Sequence, residues 1–329
     1  MNITVLGSGG WGTALAVLLA NNGHSPTLWS PFEKEIETLK TTKENPLLPG
    51  ITLPDSLNYT TDISCVSKTD FIVLVTPSFA LLETITQIKP YLKPTTPIVI
   101  ATKGIEPKSR KTFYELLRKE LGDNAPIAVL SGPSHAEEVA REIPTACVAA
   151  SEDETLAQLV QNTFMNQRFR VYTSTDVIGV ELGAALKNVI ALAAGISDGL
   201  GFGDNSIAAL ITRGLDEIST LAVSLGGKRE TLAGLAGLGD LIVTCTSKHS
   251  RNRRAGVFIG EGYSAKEAME KVGAVVEGYY ATHAAFELSE KTQVELPICA
   301  GLYAILYEGK DPQQVVWDLM TRSKKPELC

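Results

Sequence analysis

Ile3-Thr4-Val5-Leu6-Gly7-Ser8-Gly9-Gly10-Trp11-Gly12, continuing into the apolar stretch Thr13 to Ala20, is the segment on which the reading of the whole chain turns. Ile3 to Leu6 has the β-branched, apolar character of a buried strand, and Trp11 to Asn22 carries a helical pattern that stops at Gly23. Between them, Gly7, Gly9 and Gly12 are spaced as G-x-G-x-x-G. In a strand-turn-helix unit the first glycine permits the tight turn, the second lets backbone approach a pyrophosphate, and the third packs helix against strand. The helix N-terminus then presents oriented N–H donors to an anion. From Met1 to Phe32 the chain has no Asp, Glu, Lys or Arg, so an anion bound there is held by backbone alone. Gly7, Gly9 and Gly12 are therefore candidate cofactor contacts; the bland alternative is a glycine-rich turn with no ligand.

Further along, Thr27 to Ser30, Phe71 to Val75, Ile98 to Ala101 and Ile127 to Leu130 read as short, nearly continuous apolar strands, each closed by polar, Gly or Pro residues. Such strands, separated by helical stretches, imply a parallel sheet covered on both faces. Thr145 to Ala150 and Arg168 to Thr173 read as later, antiparallel additions. After Asp176 the pattern becomes helical, beginning with Val177 to Ala194, whose Gly179, Gly183, Ala184 and Ala191 form a small-residue face. The fold class expected is α/β: an N-terminal Rossmann-type doubly wound parallel sheet (1–176, dinucleotide-binding) followed by an all-α C-terminal domain (177–329, substrate-binding).

The 329 residues are 44% hydrophobic, which supplies core enough for two domains and excludes a disordered chain. Thirty Lys and Arg against thirty-seven Asp and Glu give a net charge of -7, contrary to diffuse binding of nucleic acid. Cys65, Cys147, Cys245, Cys299 and Cys329 are scattered without a CxxC pair, and His24, His135, His249 and His283 lack ligand spacing. Neither a disulfide framework nor a metal site is expected, and a reducing cytoplasm is the expected location. No positive n-region precedes Trp11 to Ala20, and glycines interrupt the stretch, so neither a signal peptide nor a membrane span is read there.

Ligands in open α/β sheets bind beyond the carboxyl ends of the strands. That rule makes Thr76-Pro77-Ser78, Lys103 and Ser131-Gly132-Pro133-Ser134 site candidates. The alternative for Lys103 is a solvated loop lysine, and for Ser134 a helix N-cap before Ala136-Glu137-Glu138. Lys187 rises from a helical stripe of Gly183, Ala184, Ile190 and Ala191, where a desolvated ammonium suits proton exchange with a substrate oxygen; the alternative is a snorkelling lysine. Gly234 to Asp240, followed by Ser250-Arg251-Asn252-Arg253-Arg254, offers Asp240 for a lysine or hydroxyl and Arg forks for a phosphate; a solvated basic face is the alternative. At the end of the second strand, Leu28-Trp29-Ser30-Pro31-Phe32, no acid is placed to hold a ribose 2′-hydroxyl, and the first acid is Glu33. NADP is thus permitted beside NAD.

Taken together, Gly7-Ser8-Gly9-Gly10-Trp11-Gly12-Thr13-Ala14-Leu15, Ala101-Thr102-Lys103-Gly104, Ser131-Gly132-Pro133-Ser134, Lys187-Asn188-Val189-Ile190-Ala191, Gly237-Leu238-Gly239-Asp240-Leu241 and Ser250 to Arg254 resemble, in order, the motifs of bacterial NAD(P)-dependent sn-glycerol-3-phosphate dehydrogenases. The resemblance runs almost the whole length, to Val275-Val276-Glu277-Gly278. It implies reduction of dihydroxyacetone phosphate to sn-glycerol 3-phosphate, feeding glycerophospholipid synthesis, with NAD or NADP as cofactor and no metal. By the same resemblance Lys187 is the proton donor and acceptor, Lys103 contacts cofactor and substrate, and Gly132 and Ser134 line that pocket. Asp240, Ser250, Arg251 and Asn252 match the substrate-binding group, while Arg251, Val275, Glu277, Gly10, Trp11 and Ala136 match cofactor positions. Pro31 departs from the basic residue or histidine often found there, which leaves the adenosine side unassigned. A homodimer is the assembly kept in view. Two other readings stay open on the residues: a related β-hydroxyacid dehydrogenase, and a nucleotide sensor that binds NAD(P)H without turnover. Gly199 to Asp204 reads as a lid or hinge, or as a plain surface connection.

Overall fold

The computed structural model describes residues 1–106, 108–324 and 326–327; Cys329 lies outside the described residues. Eight strands form one sheet: β1 (Asn2–Leu6), β2 (Ser25–Trp29), β3 (Asn58–Thr60), β4 (Phe71–Leu74), β5 (Ile98–Ile100), β6 (Ile127–Ser131), β7 (Thr145–Ala150) and β8 (Phe169–Ser174). Their order is β3-β2-β1-β4-β5-β6-β7-β8. Strands β1 to β6 are parallel, β7 pairs antiparallel with β6, and β8 runs parallel to β7, so the two late strands run against the rest as expected. The edge strand β3 escaped the sequence reading because it is three polar, partly exposed residues.

Alternation along the strands divides the sheet's side chains between two cores. Ile3, Val5, Phe71, Val73, Val99, Ala128 and Leu130 face a cluster with Leu15 and Leu19 of the helix Gly10–Asn21 and Phe164 of the helix Glu154–Phe164. Leu6, Ile72, Leu74, Ile98, Ile100, Ile127 and Val129 face a second cluster with Leu81, Ile85, Phe113 and Leu117. Strands buried on both faces have no use for polar positions, which is why they read as continuous apolar runs. The chain leaves β1 toward β2 and β3, then returns to β4 on β1's other side. This reversal opens the crevice at the carboxyl ends of β1 and β4.

The chain divides into two compact units, 1–184 with 226–240, and 185–225 with 241–329. The first boundary falls inside one continuous helix, Val177–Gly199. Every element of the second unit is helical among the described residues. Its closest approach joins Gly195 and Gly199 to Gly256 and Gly260 of the helix Arg251–Gly260. A Cβ at Gly195 would lie 2.0 Å from the Arg253 carbonyl oxygen, and one at Gly256 would lie 2.1 Å from that of Leu192. Val177–Gly199 is long and apolar enough to cross a membrane, a property the sequence reading did not single out. Its apolar window is 89% buried within the structure, as for a core helix.

Candidate functional site

In the first unit the glycine turn sits at the β1–β4 reversal. Gly7 adopts φ +126°, and a Cβ there would lie 2.7 Å from the Val75 carbonyl oxygen. At Gly12 a Cβ would lie 2.0 Å from the oxygen of Gly7, so helix and strand meet backbone to backbone. Gly9 differs: a Cβ there would meet no atom within 4 Å. Gly9 is also the N-cap of Gly10–Asn21, and no side chain caps that helix. Open space beside Gly9, with first-turn donors untouched by a capping side chain, is the cradle a pyrophosphate requires, so the residues present fit a dinucleotide. Two side chains missing from the sequence reading brace this turn. Asn45, buried, donates Nδ2 to the Ser8 carbonyl (2.9 Å) and to Thr13 Oγ1 (2.6 Å). Glu35 Oε2 accepts from Ser8 Oγ at 2.6 Å and Ser30 Oγ at 2.8 Å. Neither has a local sequence signal, because each acts across loops that only folding brings together.

Beyond β5 and β6 the structure gathers four of the expected residues. Lys103 Nζ donates to the Gly132 carbonyl (2.9 Å), to Ser134 Oγ (3.4 Å) and to Asp240 Oδ2 (2.8 Å). Asp240 is buried at 1% exposure while the Lys103 side chain keeps 18%. Lys103 is thus an ion-paired group with its charge held at one place, and the solvated-loop reading falls away. Ser134 is not the N-cap of Ala136–Ala140; that position is His135, and Ser134 Oγ donates instead to the Gly132 carbonyl at 2.9 Å. A φ of +143° at Gly132 turns that carbonyl toward the lysine and the serine, a backbone state a side chain would strain. Trp11 anchors its indole N–H on the Ala101 carbonyl, two residues before Lys103 (3.2 Å). Ala136, half-buried, packs with Trp11 against the first core. Among the described residues, Thr76 Oγ1 and Ser131 Oγ, at the ends of β4 and β6, are buried without a hydrogen-bond partner.

In the second unit Lys187 is 6% exposed, and its Nζ donates to Thr244 Oγ1 at 2.9 Å. Burial of an ammonium is costly unless it is hydrogen-bonded, and the hydroxyl accepts one of its three N–H donors. Asn188, the next residue, accepts from Asn252 Nδ2 (2.9 Å), while Asn252 Oδ1 accepts the Gly278 N–H (2.8 Å). Asn252 therefore joins three helices. Ser250 caps Arg251–Gly260, accepting the Arg253 N–H at 3.2 Å. Arg251 is exposed in the first turn, and Arg253 pairs with Asp198 at 2.6 Å. Val275 and Glu277, both half-buried, flank the start of the helix Glu277–Thr292. Residues 200–203 form only a short connection between the helices Val177–Gly199 and Asp204–Ser224. Among the described residues no cluster of His, Cys, Asp and Glu is arranged to hold a metal.

Comparison with known proteins is consistent along the whole chain. The family model for the NAD-dependent glycerol-3-phosphate dehydrogenase N-terminus matches residues 2–157, and that for the C-terminus matches 176–317. Glycerol-3-phosphate dehydrogenase (NAD(P)+) of Agathobacter rectalis is 50% identical over 327 residues, covering 99% of this chain and 97% of the relative. The Clostridium acetobutylicum protein of the same name is 48% identical, covering 99% and 98%. Among solved structures, glycerol-3-phosphate dehydrogenase from Coxiella burnetii superposes with a TM-score of 0.94 at 44% identity, covering 98% of this chain and 99% of that one. D-mandelate dehydrogenase with NADH, at 14% identity and a TM-score of 0.63, covers 94% and 98% and shares the fold.

Proposed function

This chain belongs to the NAD-dependent glycerol-3-phosphate dehydrogenase family, and on that premise we propose that it reduces dihydroxyacetone phosphate to sn-glycerol 3-phosphate with Lys187 as general acid and base. It is an NAD(P)-dependent oxidoreductase of glycerol 3-phosphate. The observation that carries the lysine assignment is the burial of Lys187 with its Nζ held on Thr244 Oγ1. A hydroxyl accepts from an ammonium and, by rotating, donates to an amine, so this partner serves the lysine before and after proton transfer. The bound dinucleotide supplies or accepts the hydride. Lys187 gives its proton to the C2 oxygen as negative charge develops there, and takes it back in the reverse direction.

Around that step the remaining residues bind and orient. Lys103, held by Gly132, Ser134 and Asp240, presents a fixed positive charge to substrate and cofactor. Arg251, with the helix start capped by Ser250, takes the substrate phosphate, a pairing for which guanidinium geometry is suited. Asn252 has one amide hydrogen left after its bond to Asn188, and offers it to the substrate. Gly7, Gly9, Gly10, Trp11, Gly12, Ala136 and Lys103 hold the dinucleotide in the first unit; the resemblance also assigns Arg251, Val275 and Glu277 to the cofactor. The working division is dinucleotide binding in 1–176 and substrate binding in 177–329. The enzyme acts in the cytoplasm, supplies glycerophospholipid synthesis, and assembles as a homodimer.

Initial rates of dihydroxyacetone phosphate reduction test this reading. Lys187→Ala should lose about 10²- to 10⁴-fold in kcat while NADH binding, followed by fluorescence, persists. Retained turnover would remove Lys187 from the acid/base role. Turnover of a hydroxyacyl substrate with none of dihydroxyacetone phosphate would overturn the substrate assignment.

A further inference from the structure

We infer that Glu35 reads the adenosine ribose and makes NADH, not NADPH, the preferred partner of this chain. The inference rests on the dinucleotide site proposed at the glycine turn. That turn is tied to the end of β2, since the Gly7 N–H donates to the Trp29 carbonyl at 3.0 Å. A dinucleotide laid across it brings its adenosine ribose to the β2 end, where an acid conventionally accepts the 2′-hydroxyl. By sequence no acid stands there, because Ser30-Pro31-Phe32 follows the strand.

Folding supplies one from the next helix. Glu35, in the first turn of Glu33–Thr42, reaches back, and its Oε2 accepts from both Ser8 Oγ of the glycine turn and Ser30 Oγ at the β2 end. Two hydroxyls, one from the glycine turn and one from the β2 end, fix one carboxylate oxygen. Among the described residues no group donates to the other, Oε1, and Glu35 is solvent-exposed, so that oxygen can accept a ligand hydroxyl. A 2′-phosphate would instead meet a carboxylate of like charge. Pro31 contributes neither a cation nor an N–H to offset that repulsion, and Phe32, 61% exposed, presents only an apolar ring.

Titration of the full-length protein with NADH and with NADPH, read by nicotinamide fluorescence, gives two Kd values independent of turnover. The wild type should bind NADH about tenfold tighter or more. Glu35→Gln should weaken NADH, tighten NADPH and bring the two within about threefold. Lys34→Ala, one position away and also exposed, should leave the ratio in place. A brace with no role in recognition would shift both constants in step. A wild type that favours NADPH, an unmoved ratio in Glu35→Gln, or a Lys34→Ala effect as large as that of Glu35→Gln would each overturn the assignment. Failure of both nucleotides to bind the wild type would overturn the dinucleotide site itself, a separate result.

Discussion

Replacing Gly195 by alanine tests how the second unit is held together, because intrinsic helix propensity and tertiary packing predict opposite signs. Within a helix, Gly→Ala stabilises by about 1 kcal/mol. Here the added Cβ would sit 2.0 Å from the Arg253 carbonyl oxygen and 2.9 Å from the Gly256 Cα, against ordinary contacts of 3.4–4 Å. Those neighbours are backbone and cannot rotate away, so the helices Val177–Gly199 and Arg251–Gly260 must part by more than 1 Å. Overpacking of this kind costs typically 1–3 kcal/mol, and a backbone obstacle places Gly195→Ala at about 3. Thermal unfolding should register a loss of roughly 6–12 °C. Gly256→Ala, 2.1 Å from the Leu192 oxygen, should behave alike, and the double variant should lose well under the sum, because one separation relieves both clashes. Gly203→Ser, where a Cβ meets nothing within 4 Å, should stay within about 0.5 kcal/mol of wild type. A Gly195→Ala protein as stable as wild type, or more so, would refute the crossing described.

Two further outcomes follow from polar groups held wholly or partly away from water. Burial pushes the Glu217 carboxyl up to about 7, against hydrogen bonds from the Ile298 and Cys299 N–H groups that favour its ionised form. A carboxyl raised from 4.5 binds its proton more tightly folded than unfolded, so its stabilising contribution is complete below about pH 4.5 and is lost as pH rises to about 7. Glu217→Gln should remove up to roughly 3 kcal/mol of that decline, seen as a flatter Tm against pH; parallel profiles for the two proteins would refute it. Thr76→Val removes a buried hydroxyl without a partner and should leave stability unchanged or raise it by about 1 kcal/mol in urea unfolding. A destabilisation of that size would mean the hydroxyl is satisfied after all.

Much of the first unit was legible because its signals are local. Ile3 to Leu6, the glycine spacing and the helix behind it specify strand, turn and helix from neighbouring residues, and strands buried on both faces cannot hide their apolar runs. The burial of Lys187 was legible for the same reason, since positions three and four away along one helix define its surroundings. Ser134 stayed open between site residue and cap in the sequence, because its chemistry suits either role. Only Lys103 and Gly132, from separate strand ends, show which one it takes.

By itself the sequence determined the fold class, the dinucleotide turn and the family motifs, all written within short windows where backbone geometry and burial period fix the residue types. Tertiary structure alone decided that Asp240 belongs to Lys103, that Asn252 bridges Asn188 and Gly278, and that Glu35 ties the glycine turn to the end of β2. Each joins side chains far apart in the chain or across a turn, and pairings of that kind have no period. Distance and orientation select them once the backbone has closed, which is why an acid two positions beyond the first one after the strand could be passed over and still close on both Ser8 and Ser30.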